Sequence, residues 1–346
     1  MLDKMFIYSN HIANVNRYDV AEKLIYLTND KNEERKIIYD NELISSNVLD
    51  FVRNLKGEIV FYTRDLKVYK KVISGLKLLL EGYSIYDEKY DDETIFVFKK
   101  ISPGNHIKYL YNFINEKFIR DISDVPIIIT DFFEMSYLST VIKKSSRLNN
   151  TINWEIDLSG RKYIVRDKEK NATIVKFIGI EDGMLIVFMS NKELISIDIE
   201  TGKIIWETKD FIKKNLPTYN DYRMVRSIFY YGILENGKLY QLDGNIYYSI
   251  DLKTQEVEVL WEDKSEKEYL TCQYASYTED YVYFTGSRDN RFSPYLLGAF
   301  NRKTLQLDWI HEPEGIVNPL TNVPHYVNGK LYILDSGRVL HIYDKE

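Results

Sequence analysis

Residues 196–206 read SIDIETGKIIW, and this stretch decides how the rest of the chain is interpreted. It predicts a strand that ends at Asp198, a tight turn through Thr201 and Gly202, and a second strand that carries Trp206. Asp and Thr side chains can bond the backbone amides of such a turn, and Gly permits the positive φ that the turn needs. Residues 182–188 predict a further strand just before it, so the local unit is strand, turn, strand, tight turn, strand.

The unit around Trp206 recurs along the chain. Asn301 and Thr304 precede Trp309 at the same offsets that the first unit shows. The tryptophans of the chain mark one point of the pattern, at intervals of 52, 55 and 48 residues: Trp154, Trp206, Trp261 and Trp309. An even repeat near fifty residues is typical of a four-stranded sheet with its loops, the blade of a β-propeller. The last unit, residues 328–344, lacks its outermost strand.

The repeat predicts an all-β fold, a β-propeller, with seven blades favoured. Weaker matches to the repeat place outer strands at Tyr26, Leu79 and Arg120, and the count of outer strands then gives seven blades, an average of about 49 residues each. In this interpretation residues 1–346 form a single propeller, closed by pairing of the N- and C-terminal strands. The segment from Ala21 to Tyr26 would supply the strand that the last blade lacks, because closure removes exposed sheet edges.

Two other architectures stay open. One is a propeller of eight blades. The other rests on residues 66–81 and 106–120, whose apolar spacing is also compatible with amphipathic helices. Residues 1–150 would then form an α/β domain, followed by a four-bladed propeller over residues 151–346.

Residues 172–346 resemble the tryptophan-docking repeat of the quinoprotein (PQQ-type) β-propellers, with Asn301 and Leu305 as departures from the Asp and Gly of that pattern. The resemblance implies that each indole packs between neighbouring blades, so the docking residues are Trp154, Trp206, Trp261 and Trp309. Enzymes of that family bind PQQ over a floor Trp, and many have a vicinal cysteine pair. Cys272 is the only cysteine, and docking uses every Trp. We therefore expect a non-enzymatic member without a cofactor.

Charge and composition exclude other classes of function. The net charge of −6 argues against a nucleic-acid partner, because phosphate binding needs a concentrated positive field. No run of apolar residues suits a signal peptide or a membrane span, so we expect a cytoplasmic protein without a membrane partner. The five histidines do not pair at metal-ligand spacing, and His311, Glu312, Glu314 and His325 are interpreted as a solvated loop and its exit.

Long connections provide the candidate binding residues. Segments 158–171, 208–223, 286–294 and 311–322 are expected to emerge from one face of the propeller. Tyr and Arg are favoured at binding hot spots, and long loops on a rigid scaffold often carry function. The predicted partner-binding residues are Tyr219, Asp221, Tyr222, Arg223, Arg226, Arg288, Asn290, Arg291 and Phe292.

These observations favour a non-enzymatic module that binds a protein partner, for example a bacterial immunity-type protein that neutralises a toxin. The alternative is a small-molecule-binding or sugar-binding protein, or an enzyme, that uses the central funnel of the propeller. A structural subunit of an envelope assembly complex is a third possibility, against which the missing lipidation signal argues.

Overall fold

The computed structural model describes most of the chain. The described residues are 5–21, 23–29, 34–54, 56–102, 105–122, 128–130, 133–149, 151–165, 167–191, 193–208, 232–263, 270–288, 293–313 and 318–346. Every regular element in these ranges is a β-strand. Contacts divide the chain into a large unit (Met1–Asn10, Thr130–Gly337 and His341–Glu346) and a small unit (His11–Ile129 and Arg338–Leu340).

The first strand, β1 (Phe6–Ile12), pairs with the last strand of the chain and belongs to sheet 8 below. The small unit then contains three antiparallel four-stranded sheets, in each of which the strands follow chain order. Sheet 1 has β2 (Val15–Val20), β3 (Leu24–Asn29), β4 (Arg35–Tyr39) and β5 (Glu42–Ser46). Sheet 2 has β6 (Val48–Arg53), β7 (Ile59–Thr63), β8 (Lys67–Val72) and β9 (Gly75–Glu81). Sheet 3 has β10 (Tyr83–Lys89), β11 (Thr94–Ser102), β12 (Asn105–Asn112) and β13 (Lys117–Ile122).

Sheets 4 to 7 keep the same strand order, and sheet 8 differs in that its outermost strand is the first of the chain. Sheet 4 has β14 (Ile128–Ile129), β15 (Phe133–Leu138), β16 (Val141–Ser146) and β17 (Ile152–Asp157), and a separate hairpin of β18 (Lys162–Val165) and β19 (Lys168–Asn171) follows it. Sheet 5 has β20 (Ile174–Glu181), β21 (Met184–Met189), β22 (Leu194–Asp198) and β23 (Ile204–Thr208). Sheet 6 has β24 (Ile233–Glu235), β25 (Lys238–Asp243), β26 (Ile246–Asp251) and β27 (Val257–Glu262). Sheet 7 has β28 (Thr271–Tyr277), β29 (Tyr281–Ser287), β30 (Leu296–Asn301) and β31 (Gln306–His311). Sheet 8 has β32 (His325–Val327), β33 (Lys330–Leu334), β34 (Leu340–Lys345) and, outermost, β1.

Eight successive four-stranded antiparallel sheets are the blades of a β-propeller, so the predicted all-β propeller is confirmed with eight blades in place of the favoured seven. The helical alternative for residues 66–81 and 106–120 is wrong, because both stretches lie in strands of sheets 2 and 3. No helix in the described ranges is long and apolar enough to cross a membrane.

The strand that completes sheet 8 differs from the predicted one. Residues 24–26 lie in β3, inside sheet 1, where they pair with β2 and β4. β1 takes the outer place instead, and the Ser9 hydroxyl donates a 3.1 Å hydrogen bond to the Ile342 carbonyl. The Glu346 amide likewise donates to the Met5 carbonyl at 3.1 Å.

A shared irregularity explains the blade count. In sheets 1 to 7, the pairing of the third strand with the fourth skips one residue of the fourth strand, a β-bulge. The residues directly after the skipped one are Ser45, Leu80, Arg120, Trp154, Trp206, Trp261 and Trp309. These positions follow at intervals of 35, 40, 34, 52, 55 and 48 residues. The first three blades are therefore shorter than the spacing of the tryptophans suggests, and the chain before Trp154 forms one more blade than predicted.

Apolar side chains of adjacent sheets form the core. Between sheets 5 and 6, Ile186 and Phe188 pack with Trp206, Leu239 and Tyr248. Comparable clusters join sheets 6 and 7, sheets 7 and 8, and, in the small unit, sheets 1 and 2 and sheets 2 and 3. Burial of both faces of the inner strands, such as β21 and β26, is what makes these strands rich in Val, Ile, Tyr and Phe.

Candidate functional site

Connections between sheets leave each sheet at the edge that also carries the loop between its second and third strands, because the direction of antiparallel strands alternates. We call this edge of sheets 5 to 8, together with the connections that reach it, the loop edge of the large unit. The described parts of three long segments singled out in the sequence lie there: 158–171 and 311–322 link sheets, and 286–294 links β29 to β30. Segment 208–223 lies, after Thr208, outside the described residues.

Among the predicted partner-binding residues, Arg288 is described and the others lie outside the described residues: Tyr219, Asp221, Tyr222, Arg223, Arg226, Asn290, Arg291 and Phe292. Arg288 follows β29, and its Nε lies 3.6 Å from Oε1 of Glu312, which follows β31. The two side chains are 32% and 63% exposed, so this pair contributes about 0–1 kcal/mol. A charged partner could therefore replace Glu312 at little cost.

At sheet 5 the loop edge is held by Arg161. Its Nη1 donates to the Leu158 carbonyl at 3.1 Å, and its Nη2 donates to Glu207 Oε2 at 2.5 Å. Its Nε lies 3.4 Å from Oε2 of Glu193, whose side chain is 8% exposed. Arg161 thus joins the connection that leaves sheet 4 to two parts of sheet 5: the loop between β21 and β22, and the last strand, β23.

Between sheets 6 and 7 the loop edge is held by backbone and amide groups. The Asn245 side chain donates to the Asp263 carbonyl at 3.0 Å, and the Asp263 amide donates to the Asn245 carbonyl at 2.8 Å. The Asp263 carboxylate accepts the Leu270 amide at 2.9 Å. Gly244 and Cys272 exchange two backbone hydrogen bonds, of 3.2 and 2.7 Å. The ends of the connection 263–270 are therefore fixed to both sheets.

Cys272 is buried at this junction. Burial raises the pKa of its thiol well above the ordinary value, and the nearby carboxylates of Asp243 and Asp263 raise it further. The thiol therefore stays protonated at neutral pH, and a protonated, buried thiol is a poor nucleophile.

The connection from sheet 7 to sheet 8 is hydrogen-bonded to both sheets. The Leu320 amide donates to the Pro294 carbonyl, and the Ser336 amide to the Pro319 carbonyl, each at 2.8 Å. The Asn322 side chain donates to the Leu334 carbonyl at 2.8 Å.

A buried pair of polar side chains stands at the loop edge of sheet 8. His341 Nε2 lies 3.2 Å from Asp335 Oδ2, and the two side chains are 7% and 3% exposed. No sequence motif marks this pair, because a His and an Asp six residues apart face each other only through the loop that joins β33 to β34. Their bond fixes the two ends of that loop.

The histidines of the predicted loop and its exit lie at the ends of the two strands that the connection joins. His311 lies at the end of β31, where its ring stacks on Trp309 at 5.5 Å and meets Tyr343 edge-on at 5.6 Å. His325 begins β32, the first strand of sheet 8, and Glu314 lies outside the described residues. No set of three metal-ligating side chains is found in the part of the chain that the structure describes.

Two tryptophans bond the turn of the next sheet. Trp206 Nε1 donates to the Leu252 carbonyl in sheet 6 at 2.7 Å, and Trp154 Nε1 donates to the Ile199 carbonyl in sheet 5 at 2.9 Å. Gly202 lies under the Trp154 indole with a φ of 70°, and a Cβ there would stand 2.7 Å from Trp154 Cδ2. Gly202 is thus needed for both the turn and the ring above it.

The other two tryptophans contact the next sheet through rings. Trp261 lies 5.1 Å from the Phe300 ring of sheet 7, measured between centroids. Trp309 lies 5.1 Å from Phe6 and 6.3 Å from Tyr343, both in sheet 8.

Comparison with known proteins gives structural likeness without sequence likeness. No family model and no curated protein sequence matches the chain. The chain is similar in structure to BamB from Moraxella catarrhalis (TM-score 0.56, 9% identity, 98% of this chain and 99% of that one). It is also similar to the C-terminal WD40 domain of Sif2 (TM-score 0.61, 10% identity, 98% of each chain) and to Saccharomyces cerevisiae Sqt1 (TM-score 0.55, 11% identity, 100% of each chain). At such identities the likeness establishes the β-propeller repeat fold and leaves function to the site.

Proposed function

We propose that the protein is a non-enzymatic β-propeller that binds a protein partner on the loop edge of the large unit. We assign it to the quinoprotein-like repeat family, without the cofactor, and place it in the cytoplasm with neither nucleic acid nor a membrane as its partner. A more specific form of the proposal is a bacterial immunity-type protein that neutralises a toxin, since an acidic chain with divergent repeats suits a dedicated inhibitor.

The observation that carries the proposal is that the loop edge is held in place at every sheet from 5 to 8. Arg161, Asn245, the Leu320 amide and the pair of Asp335 with His341 each bond across a loop or a connection there. Binding requires the ordering of loops and side chains, and loop ends that are already fixed lower that cost. Propeller neighbours such as the WD40 domain are consistent with this use of the scaffold.

Charge reversal at the loop edge tests the proposal. Tagged wild-type protein is used to capture partners from a native lysate, in parallel with Arg288→Glu/Arg291→Glu. The control is Lys253→Glu/Lys303→Glu, which makes the same change of charge in turns at the opposite edge of sheets 6 and 7. We expect one protein to be enriched by the wild type and the control, and lost with the arginine variant. Failure of the wild type to enrich any protein over repeated captures would contradict the proposal.

A further inference from the structure

The hairpin of β18 and β19 stands apart from the blades. Its two strands pair only with each other within the described residues, in the register Lys162 with Asn171 and Val165 with Lys168. It lies in the connection from sheet 4 to sheet 5, at the loop edge, and all four residues of β19 are exposed. A lone two-stranded hairpin in water has marginal stability, so this one needs support from elsewhere.

The support comes from its base. The Ala172 amide donates to the Arg161 carbonyl at 2.8 Å, and the Leu158 amide donates to the Thr140 carbonyl at 2.9 Å. Leu158 and Ala172 are buried, while Arg161 is tied to Glu193 and Glu207 of sheet 5. The chain therefore enters and leaves the hairpin through a rigid base, which presents the ribbon in a fixed direction.

The first face of the hairpin is neutral. Directly opposed residues of an antiparallel pair share a face, so Lys162 and Ile164 lie with Glu169 and Asn171. Lys162 Nζ lies 2.7 Å from Glu169 Oε2, and the two charges offset each other.

The second face is basic and aromatic. Tyr163 lies there with Lys168 and Lys170, by the same register. Both lysines are exposed, and neither has an ion-pair partner in the described part of the chain. A tyrosine flanked by two lysines offers contact area and positive charge together, and it is held on a preformed ribbon.

We propose that the face formed by Tyr163, Lys168 and Lys170 docks an acidic surface segment of the partner protein. This rests on the proposed function and names the chemistry of the surface that the loop edge recognises. Two lysines on a chain of net charge −6 are too few to hold a nucleic-acid backbone, whose affinity comes from many neutralised phosphates. A short run of Asp and Glu on a folded partner carries the complementary charge, and local charge complementarity of this kind sets orientation and association rate.

The test uses the partner captured by the wild type, purified and titrated against variants. Lys168→Glu/Lys170→Glu reverses the charge of the second face, and we expect it to weaken binding about ten-fold or more, since like charges are brought together. Lys168→Gln/Lys170→Gln is the milder second variant, with a smaller loss in the same direction. The matched control is Lys162→Glu/Glu169→Lys, which exchanges the pair on the first face and keeps the net charge of the hairpin. It should bind as the wild type does.

A photoreactive residue in place of Tyr163 supplies the second measurement, because the cross-linked partner peptide can be sequenced. A peptide rich in Asp and Glu supports the proposal, and a basic or uncharged peptide overturns it. Unchanged binding of both lysine variants, while Arg288→Glu/Arg291→Glu loses the partner, overturns the hairpin proposal and leaves the proposed function standing. Capture of no protein by the wild type overturns both proposals. Both are also overturned if the wild type retains a 20-nucleotide RNA and this RNA binding is abolished only in the lysine variants.

Discussion

The indole of Trp206 joins two sheets by packing and by a directed hydrogen bond. Its ring lies among Ile186, Leu239 and Ile250, and its Nε1 reaches the carbonyl of Leu252 in the turn of the next sheet. A buried carbonyl oxygen has lost its water, so the indole donor satisfies an acceptor that would otherwise be left without a partner. This explains why the position holds Trp and not another large apolar residue.

Replacement of Trp206 by Phe separates the hydrogen bond from the ring. We expect Trp206→Phe to lower the free energy of unfolding by about 1–3 kcal/mol beyond the loss of ring area, because the Leu252 carbonyl stays buried without its donor. Trp261→Phe is the control, since Trp261 contacts the next sheet through Phe300 by ring packing. Urea unfolding measures both, and equal losses for the two variants would contradict the assignment of a role to the Nε1 donor.

At the scale of the element, the turn between third and fourth strands is built by one acceptor side chain. Asp198 Oδ1 accepts the Thr201 amide and hydroxyl, each at 2.7 Å. Asp251 Oδ1 accepts the Lys253 and Thr254 amides, each at 2.8 Å. Asn112 in sheet 3 accepts the amides of residues 114 and 115 in the same way, at 3.0 and 2.8 Å. The turn chemistry thus extends into a blade whose tryptophan position holds Arg120.

These turns should make stability depend on pH. Hydrogen bonds from the Thr201 hydroxyl and amide lower the pKa of Asp198 from its ordinary value of 3.8, and the Thr254 and Lys253 amides lower the pKa of Asp251. A carboxyl whose pKa is lower in the folded state stabilises the fold above the unfolded pKa. That contribution is lost as the pH falls through the folded pKa.

Asp198→Asn/Asp251→Asn removes the titration and keeps an acceptor oxygen, as Asn301 already does in sheet 7. We expect the free energy of unfolding of the wild type to fall between pH 5 and pH 3 more steeply than that of the variant. Urea titrations across this range at constant ionic strength provide the measurement. Parallel curves for the two proteins would show that these carboxylates bear no part of the acid sensitivity.

The limits of sequence interpretation are visible in the same elements. Trp206 and Gly202 stand out in the sequence because their roles require particular residue types. At the equivalent positions of sheets 1 and 2, Ser45 and Leu80 are ordinary residues, and only the register after the bulge reveals them. The predicted outer strands at Tyr26 and Leu79 stand 53 residues apart, and the short sheet 1, whose outer strand carries Ser45, was missed between them.

The loop edge was predictable in outline and not in its contacts. Alternation of strand direction sufficed to predict the edge at which the described connections begin and end. The side chains that fix that edge, Arg161, Asn245 and His341, carry no motif, because each is matched to its partner through the fold. The hairpin of β18 and β19 was seen in the sequence only as a long connection, since its two strands are four residues each.

At the scale of the whole molecule, β1 completes sheet 8 through Phe6. The Phe6 side chain is 5% exposed and lies 5.9 Å from Tyr283, 5.1 Å from Trp309 and 5.9 Å from Tyr326, measured between ring centroids. Its neighbour Ile7 points outward and is 49% exposed. The first strand therefore inserts one aromatic ring into the core between sheets 7 and 8.

Phe6→Ala is expected to lower the free energy of unfolding by about 3–5 kcal/mol, as for a large buried aromatic side chain. Ile7→Ala on the same strand is the control and should cost less than about 1 kcal/mol, because its side chain is largely in solvent. Thermal and urea unfolding measure both variants. A loss for Phe6→Ala no larger than that for Ile7→Ala would mean that β1 adds little to sheet 8.

The pairing of β1 with β34 also fixes an order of events in folding. The Ser9 hydroxyl and the Ile342 carbonyl are 333 positions apart in the chain, so their contact forms only after all the residues between them have been synthesised. Contacts at such separation pay their loop-closure entropy first and are slow to form. We expect sheet 8 to be the last blade to mature. Until then the Phe6 ring lacks the partners that bury it, and an exposed aromatic ring favours aggregation of the incompletely folded chain.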